Sequence, residues 1–255
     1  MLDWEAVNLF MMILSRMSGF VLFNPMLGRR GVPGVVKAGL VLLLTVTVFY
    51  MSPPAPAVPG VLLQLLLMLL LEMAVGYFLG LVVNIFFYIP IMAGEIIDTQ
   101  MGMSMGKTYD PGSQASLSVT ATLLNVLMTL LFFAANGHHT LLRIFLLSGD
   151  AIPFGMVSLG TALYSTIVEL FIHCTILSIK LCMPILAAEL LGQVGMGILM
   201  KAIPQINVFA INIELKVIIG LSLVLIFMVP FSEYLLEAEA AMLQSLQRLL
   251  PLMGP

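Results

Sequence analysis

Apolar residues fall along the chain in long continuous runs. Six stand out, at roughly 6–27, 35–51, 61–93, 115–135, 156–188 and 207–231. Continuous runs of about 20 residues predict membrane-crossing α-helices, and the absence of period-two alternation argues against a transmembrane β-barrel. The first run ends at Pro25 and the cluster Arg29-Arg30-Gly31-Val32-Pro33. The second ends in Ser52-Pro53-Pro54-Ala55-Pro56, followed by Pro59 and Gly60, a stiff extended connection. The third runs into Pro90 and Gly94, and Tyr109-Asp110-Pro111-Gly112-Ser113 signals a turn with Ser113 placed to cap the next helix. Asn136-Gly137 stops the fourth run, and Pro204 breaks the chain before the sixth. Beyond Pro230, Glu233, Glu237 and Glu239 alternate with Leu235, Leu236, Leu243, Leu246 and Leu250. That pattern predicts an amphipathic terminal helix over 232–250, interfacial or docked on a partner. Runs three and five exceed one span, so each is a single long helix or a helix followed by a break. The chain shows no internal repeat and no soluble domain.

Composition sharpens the class. Of 255 residues, 61% are hydrophobic and 9% charged, against about 45–50% and about 25% in soluble domains. This excludes a soluble α/β enzyme and a disordered chain. Thirteen acids against ten bases, a net charge of −3, leave no basic surface for nucleic acid. Cys174 and Cys182 would lie about 12 Å apart on one helix, too far for a mutual disulfide, so packing is their expected role. The start, Met1-Leu2-Asp3-Trp4-Glu5, is acidic, unlike the basic head of a signal peptide. Arg29, Arg30, Lys37, Lys107 and Lys201 lie in odd-numbered connections, whereas Arg143 and Arg248 lie in the fourth connection and the C-terminus. For ordinary spans this bias places the odd connections in the cytoplasm and both termini outside.

Seven charges lie in or beside apolar runs: Arg16, Glu72, Glu169, Lys180, Glu189, Glu214 and Lys216. Each would cost about 2.5–3.5 kcal/mol at a bilayer centre, so they must be paired, face water or lie against other subunits. Glu169, His173 and Lys180 fall within about 40° of one another on a helix. This polar stripe is either a proton relay or a buried seam against a partner helix. Glu214 and Lys216 point to opposite faces. Glu72, Gly76, Gly80 and Asn84 recur every fourth residue, a strip of small residues suited to close helix packing.

Catalytic and metal motifs fail on inspection, and no cofactor is expected. Gly102-Met103-Ser104-Met105-Gly106-Lys107-Thr108 has three residues where a phosphate loop needs four, and the element before it is an apolar helix rather than a strand. His138 and His139 follow a turn with no further Cys, His or acid cluster nearby, so a capping or interface role is expected. No Gly-x-Ser-x-Gly elbow occurs. Met101, Met103 and Met105, separated by Gly102, Ser104 and Gly106, form no helical stripe. They read as a supple segment of soft apolar side chains, suited to a seal that opens and closes, although 20 methionines in the chain could produce such a run by composition.

An ordered set of short words resembles the FliR family of flagellar type III export-gate proteins, whose injectisome relatives are called SctT. The words are Gly31-Val32-Pro33 with Lys37-Ala38-Gly39-Leu40; Ala93-Gly94-Glu95-Ile96-Ile97-Asp98-Thr99-Gln100-Met101-Gly102 followed by Asp110-Pro111; Asn136-Gly137-His138; Leu191-Gly192; and Ala202-Ile203-Pro204-Gln205-Ile206-Asn207-Val208-Phe209. The resemblance runs in order from about residue 10 to 230. Lys201 stands where an arginine is usual, and Asn212-Ile213-Glu214 stands where Gly-Phe-Pro is common, which puts the local helix geometry there in question.

The resemblance implies an all-α membrane protein of long helical hairpins built into a helical export gate. One copy of this chain would join FliP and FliQ homologues, with FlhB and FlhA homologues as further partners. The chain would divide into a FliP-like part, 1–188, and a FliQ-like hairpin, 189–255. Unfolded flagellar proteins would pass through the pore, and a lumen loop over 100–110 (Gln100, Met101, Gly102, Met103, Ser104, Met105, Gly106 and Lys107) would help to seal it. Glu72, Gly76, Gly80, Asn84, Glu169, His173 and Lys180 would form inter-subunit seams. The expected location is the bacterial inner membrane at the flagellar basal body. The competing function is a proton-coupled small-molecule transporter using Glu169, His173 and Lys180, for which the usual inverted repeat is missing.

Overall fold

The computed structural model describes residues 4–29, 31–52, 61–103, 118–202 and 208–254, except for the side chains of residues 200, 202 and 208–213. All regular structure in these residues is helical: α1 (Trp4–Phe23), α2 (Gly34–Met51), α3 (Leu62–Gln100), α4 (Val119–Ala134), α5 (Gly137–Leu146), the single turn α6 (Ser148–Ala151), α7 (Thr161–Ala202), α8 (Val208–Ile226), α9 (Met228–Leu249) and a closing 3₁₀ turn (Leu250–Met253). Four of them, α1, α2, α3 and α7, are long and apolar enough to cross a membrane. The number rises to six if the helices flanking Asn136 and those flanking Phe227 each count as one broken span.

Runs three and five are each one helix. α3 passes through Pro90 and α7 through Pro184. Proline carries no N–H, so the carbonyls of Phe86 and Lys180 lose their helical donors, yet the apolar sequence on either side keeps each helix going. α3 also continues through Gly94, so of the two alternatives the single long helix is the one observed. Two further boundaries differ from expectation, and the Ser113 cap falls outside the described residues. Residues 137–146 form α5, which the run pattern did not reveal. The observed cap of α4 is Ser118, whose Oγ accepts from the Ala121 N–H at 3.2 Å. The terminal helix starts at Met228, with Pro230 in its first turn, where proline is tolerated. Asn136 stops α4 in the left-handed region, at φ 59°, a conformation that asparagine adopts more readily than most residues.

The chain packs as two compact units, interleaved in sequence. The first holds Met1–Phe86, Asn136–Phe171 and Ala240–Pro255. Here α1 buries Asn8, Leu9, Met12, Ile13, Arg16, Met17 and Phe20, one stripe at helical spacing. α1 and α3 run parallel with their backbones nearly in contact. A Cβ at Gly19 would fall on the Met73 carbonyl, one at Gly76 on the Arg16 carbonyl and 2.7 Å from the Phe20 nitrogen, and one at Gly80 3.2 Å from the Phe23 Cβ. α2 returns antiparallel to α1: Phe10 meets Phe49 edge-on at 5.9 Å, and the Lys37 ammonium donates to the Gly28 carbonyl at 2.9 Å. Phe20 stacks on Phe145 of α5.

The second unit holds Phe87–Ala135 and Ile172–Glu239, and its described residues form two antiparallel hairpins together with the first half of α9. α3 meets α4 through Phe87 and Phe132 and through Gly94 against Ala121. α7 meets α8 where Gln193 accepts from the Lys216 ammonium at 3.2 Å and where Glu189 lies against Gly220. Cys174 and Cys182 are free and buried.

Gly76→Ala is expected to destabilise the chain by about 1–3 kcal/mol, because the added methyl meets backbone that cannot yield. Gly39→Ala, in open space within α2, is expected to stabilise it by up to about 1 kcal/mol. Thermal unfolding of both variants in detergent checks the contrast.

Candidate functional site

At the centre of the first unit lies an ion pair with no solvent exposure. Arg16 Nε donates to Glu72 Oε2 at 2.6 Å, and both side chains are 0% exposed. The rest of the guanidinium is also used. Nη1 faces the Ser148 carbonyl at 3.2 Å and its hydroxyl at 3.4 Å, Nη2 donates to the Ile152 carbonyl at 3.0 Å, and the Phe154 ring lies 4.2 Å from Cζ. The other Glu72 oxygen accepts from the Gly155 N–H at 2.7 Å. The pair therefore ties α1, α3 and the 148–155 segment into one node. Sequence reasoning found both charges but did not pair them. The available signal was one unmatched base in run one and one unmatched acid in run three.

The strip of small residues on α3 is also used within the chain. Glu72, Gly76 and Gly80, expected to face other subunits, are buried against α1, while Asn84 is exposed. Close packing was legible in the spacing, but the chain itself supplies the partner helix.

In the second unit, α3 ends in a defined stop. The Gly102 N–H donates to the Thr99 carbonyl at 3.1 Å, the Met103 N–H donates to the Asp98 carbonyl at 3.0 Å, and Gly102 has φ 82°. This 6→1 and 5→2 pair is the Schellman cap, which favours glycine at the left-handed position. Met101 is fully buried, with its Sδ against Gly220. So Met101 is a core residue of this unit, and Gly102 terminates a helix rather than making a segment supple. Gln100 and Met103 are half-buried. Ser104, Met105, Gly106 and Lys107 lie outside the described residues. Tyr88, Met92, Glu95, Ile96, Thr99 and Leu186 line an open groove beside Gln100.

Glu169, His173 and Lys180 are all exposed on α7, and among the described residues no hydrogen bond or ion pair joins them. Around them Tyr164, Val168, Phe171, Ile172, Ile176 and Met183 are also exposed. Glu214 is exposed and Lys216 half-buried. Glu189 is buried, and its Oε1 has no partner among the described residues. His138 and His139 occupy the first turn of α5 with ring centroids 4.1 Å apart.

Long apolar helices, a buried polar node and uncovered apolar rows define an all-α integral membrane protein. Residues 7–241 match the family described as bacterial export proteins, family 1, and the chain belongs to that family. Membership makes it a membrane component of a bacterial export apparatus rather than an enzyme. It is 29% identical to the flagellar biosynthetic protein FliR of Escherichia coli over 256 residues, covering 98% of this chain and 96% of that one. Identity to the FliR of Bacillus subtilis is 25% over 255 residues, covering 96% and 95%. Identity to the Yop proteins translocation protein T of Yersinia pestis is 23% over 249 residues, covering 96% and 95%.

Removing one member of the buried pair, as in Arg16→Ala or Glu72→Ala, should cost about 3–5 kcal/mol, since the partner is left charged and buried. The double change Arg16→Met with Glu72→Leu should cost much less than the sum of the two single losses. Arg16→Lys should fall between wild type and Arg16→Ala, because one ammonium cannot reach Glu72 and the carbonyls of both Ser148 and Ile152. Unfolding of the purified variants in one detergent closes this cycle.

Proposed function

We propose that the chain is a structural subunit of the flagellar type III protein export apparatus, seated in the inner membrane at the basal body. It lines a pore with FliP and FliQ homologues, is approached by FlhB and FlhA homologues, and passes unfolded flagellar proteins. Its relatives, flagellar biosynthetic proteins in two cases and a translocation protein in the third, support this reading. The observation that carries it is the state of the surface. On α2, Val35 and Tyr50 are each 84% exposed. On α7 the apolar row of Tyr164, Val168, Ile172 and Met183 is interrupted by Glu169, His173 and Lys180. Against hydrocarbon these three groups would be stranded, whereas against helices of neighbouring subunits they gain partners. An exposed row also lacks the enclosure that a proton relay needs. The FliP-like part is assigned to 1–188 and the FliQ-like part to 189–255, with α7 continuous across the boundary.

Native mass spectrometry of gently solubilised material should show a hetero-oligomer with one copy of this chain. Glu169→Gln should reduce recovery of that complex several-fold. A stable, active monomer, or lost transport with assembly intact, would refute the subunit reading.

The seal is assigned to the connection after α3. Because Met101 is committed to the core, the sealing side chains are those from Met103 onward. Deleting 104–107 keeps the Gly102 cap and should raise ion conductance across membranes containing the assembled complex. Wild-type conductance with the complex intact would rule the seal out.

A further inference from the structure

The end of α3 and the beginning of α4 meet at one residue that the run pattern concealed. Asp98 is 1% exposed and offers two acceptors to two different segments. Its main-chain carbonyl accepts the Met103 N–H at 3.0 Å, which closes the last turn before the connection begins. Its Oδ2 accepts the Thr120 N–H at 3.1 Å, in the first turn after the connection ends. One turn earlier on the same face, Gly94 lies so close to α4 that a Cβ would fall on Ala121 backbone and 2.8 Å from the Thr120 carbonyl carbon. Ser118 already caps α4 by accepting from the Ala121 N–H. Asp98 is thus a second cap, brought from another helix, on an N-terminus that favours negative charge.

A helix cap alone does not require a buried carboxylate. Ser118 provides one without charge, and Asp98 is burdened with a second oxygen, Oδ1, that has no partner among the described residues. The Thr120 hydroxyl next to it is likewise buried without a partner. Burying an acceptor unsatisfied costs free energy. A charged group held under those terms is explained by what it joins: a charge-assisted bond across two helices is stronger than a neutral cap.

We propose that Asp98 is a positioning residue that pins the start and the end of the α3–α4 connection to a single point. Gly94 permits the approach, and Met101, buried against Gly220, holds the α3 end in place. This goes beyond the sealing role assigned to the connection: Asp98 fixes where that segment leaves and re-enters the fold.

The proposal is tested by amide hydrogen exchange on the assembled complex, comparing wild type with Asp98→Ala and Asp98→Asn. In Asp98→Ala the Met103 N–H keeps its bond, because the acceptor is backbone. A simple cap would therefore speed exchange only at Thr120 and its neighbours. A pin should speed exchange at both ends, by about tenfold or more at Thr120 and measurably at Gly102 and Met103. Asp98→Asn, which keeps an acceptor for Thr120, should restore protection at Gly102 and Met103 most of the way. If Asp98→Ala lowers complex recovery, the same comparison is made between Asp98→Asn and wild type, with partial acceleration expected at both ends. Acceleration confined to 118–122, or none at all, overturns the proposal. Conductance of the 104–107 deletion judges the seal and exchange judges the pin, so each can fail without the other.

Discussion

The first unit depends on the contact between Arg16 and Glu72. Removing a guanidinium and a carboxylate from water is expensive, and their mutual attraction offsets that cost only when the remaining donors and acceptors are also used. Here they are used by Ser148, Ile152, Gly155 and the face of Phe154. Every one of these partners lies outside α1 and α3. The two helices therefore cannot settle against each other in an apolar medium until the 148–155 segment has arrived. The glycine strip follows from the same requirement. A 2.6 Å bond between side chains rooted on parallel helices goes with a close backbone approach, and Gly76, one turn beyond Glu72, lies directly against the Arg16 carbonyl. Pair and strip are one feature seen at two positions.

The second unit solves the same problem with little charge. Its hairpins approach at Gly94 and Gly220, where a neighbouring backbone or side chain occupies the place of a missing Cβ. Within a bilayer, apolar attraction between helices is weak, and close packing of small residues replaces it. This explains why Gly94, just past the end of the third apolar run, is a contact. The glycine's absent side chain makes room for α4, and the helix around it is held by apolar residues such as Ala93 and Ile97, both fully buried.

What the sequence revealed and what it concealed divide along physical lines. Long apolar runs mark helices because the signal is local and repeated, and all six runs contain one. The meeting of Arg16 with Glu72 is not local: the residues lie 56 positions apart, and periodicity says nothing about which runs become neighbours. α5 was missed because its apolar positions, Leu141, Ile144 and Phe145, occupy one face of a ten-residue helix too short to form a run. Asp98 was overlooked because it lies between the third apolar run, which ends at 93, and the fourth, and a lone acid there carries no periodic signal. The Met101–Met105 alternation misled in the opposite way. Its glycines suggested suppleness, yet Gly102 forms a tight stop and Met101 packs in the core.

One chain thus carries two kinds of charge within its long apolar helices. Arg16 and Glu72 are satisfied within the fold, whereas Glu169, His173 and Lys180 sit exposed in an apolar row. A free-standing bundle would have reason to hide both kinds. In the subunit proposed above there is reason to keep them apart: the inner pair is satisfied by the chain itself, and the outer three would find partners on another chain. On insertion scales each unpaired charge costs about 2.5–3.5 kcal/mol at the bilayer centre. Assembly that pairs them recovers that cost for this chain, and a wrongly packed neighbour would not. On the proposed reading the penalty would serve specificity as well as affinity, because only a neighbour with matching partners removes it.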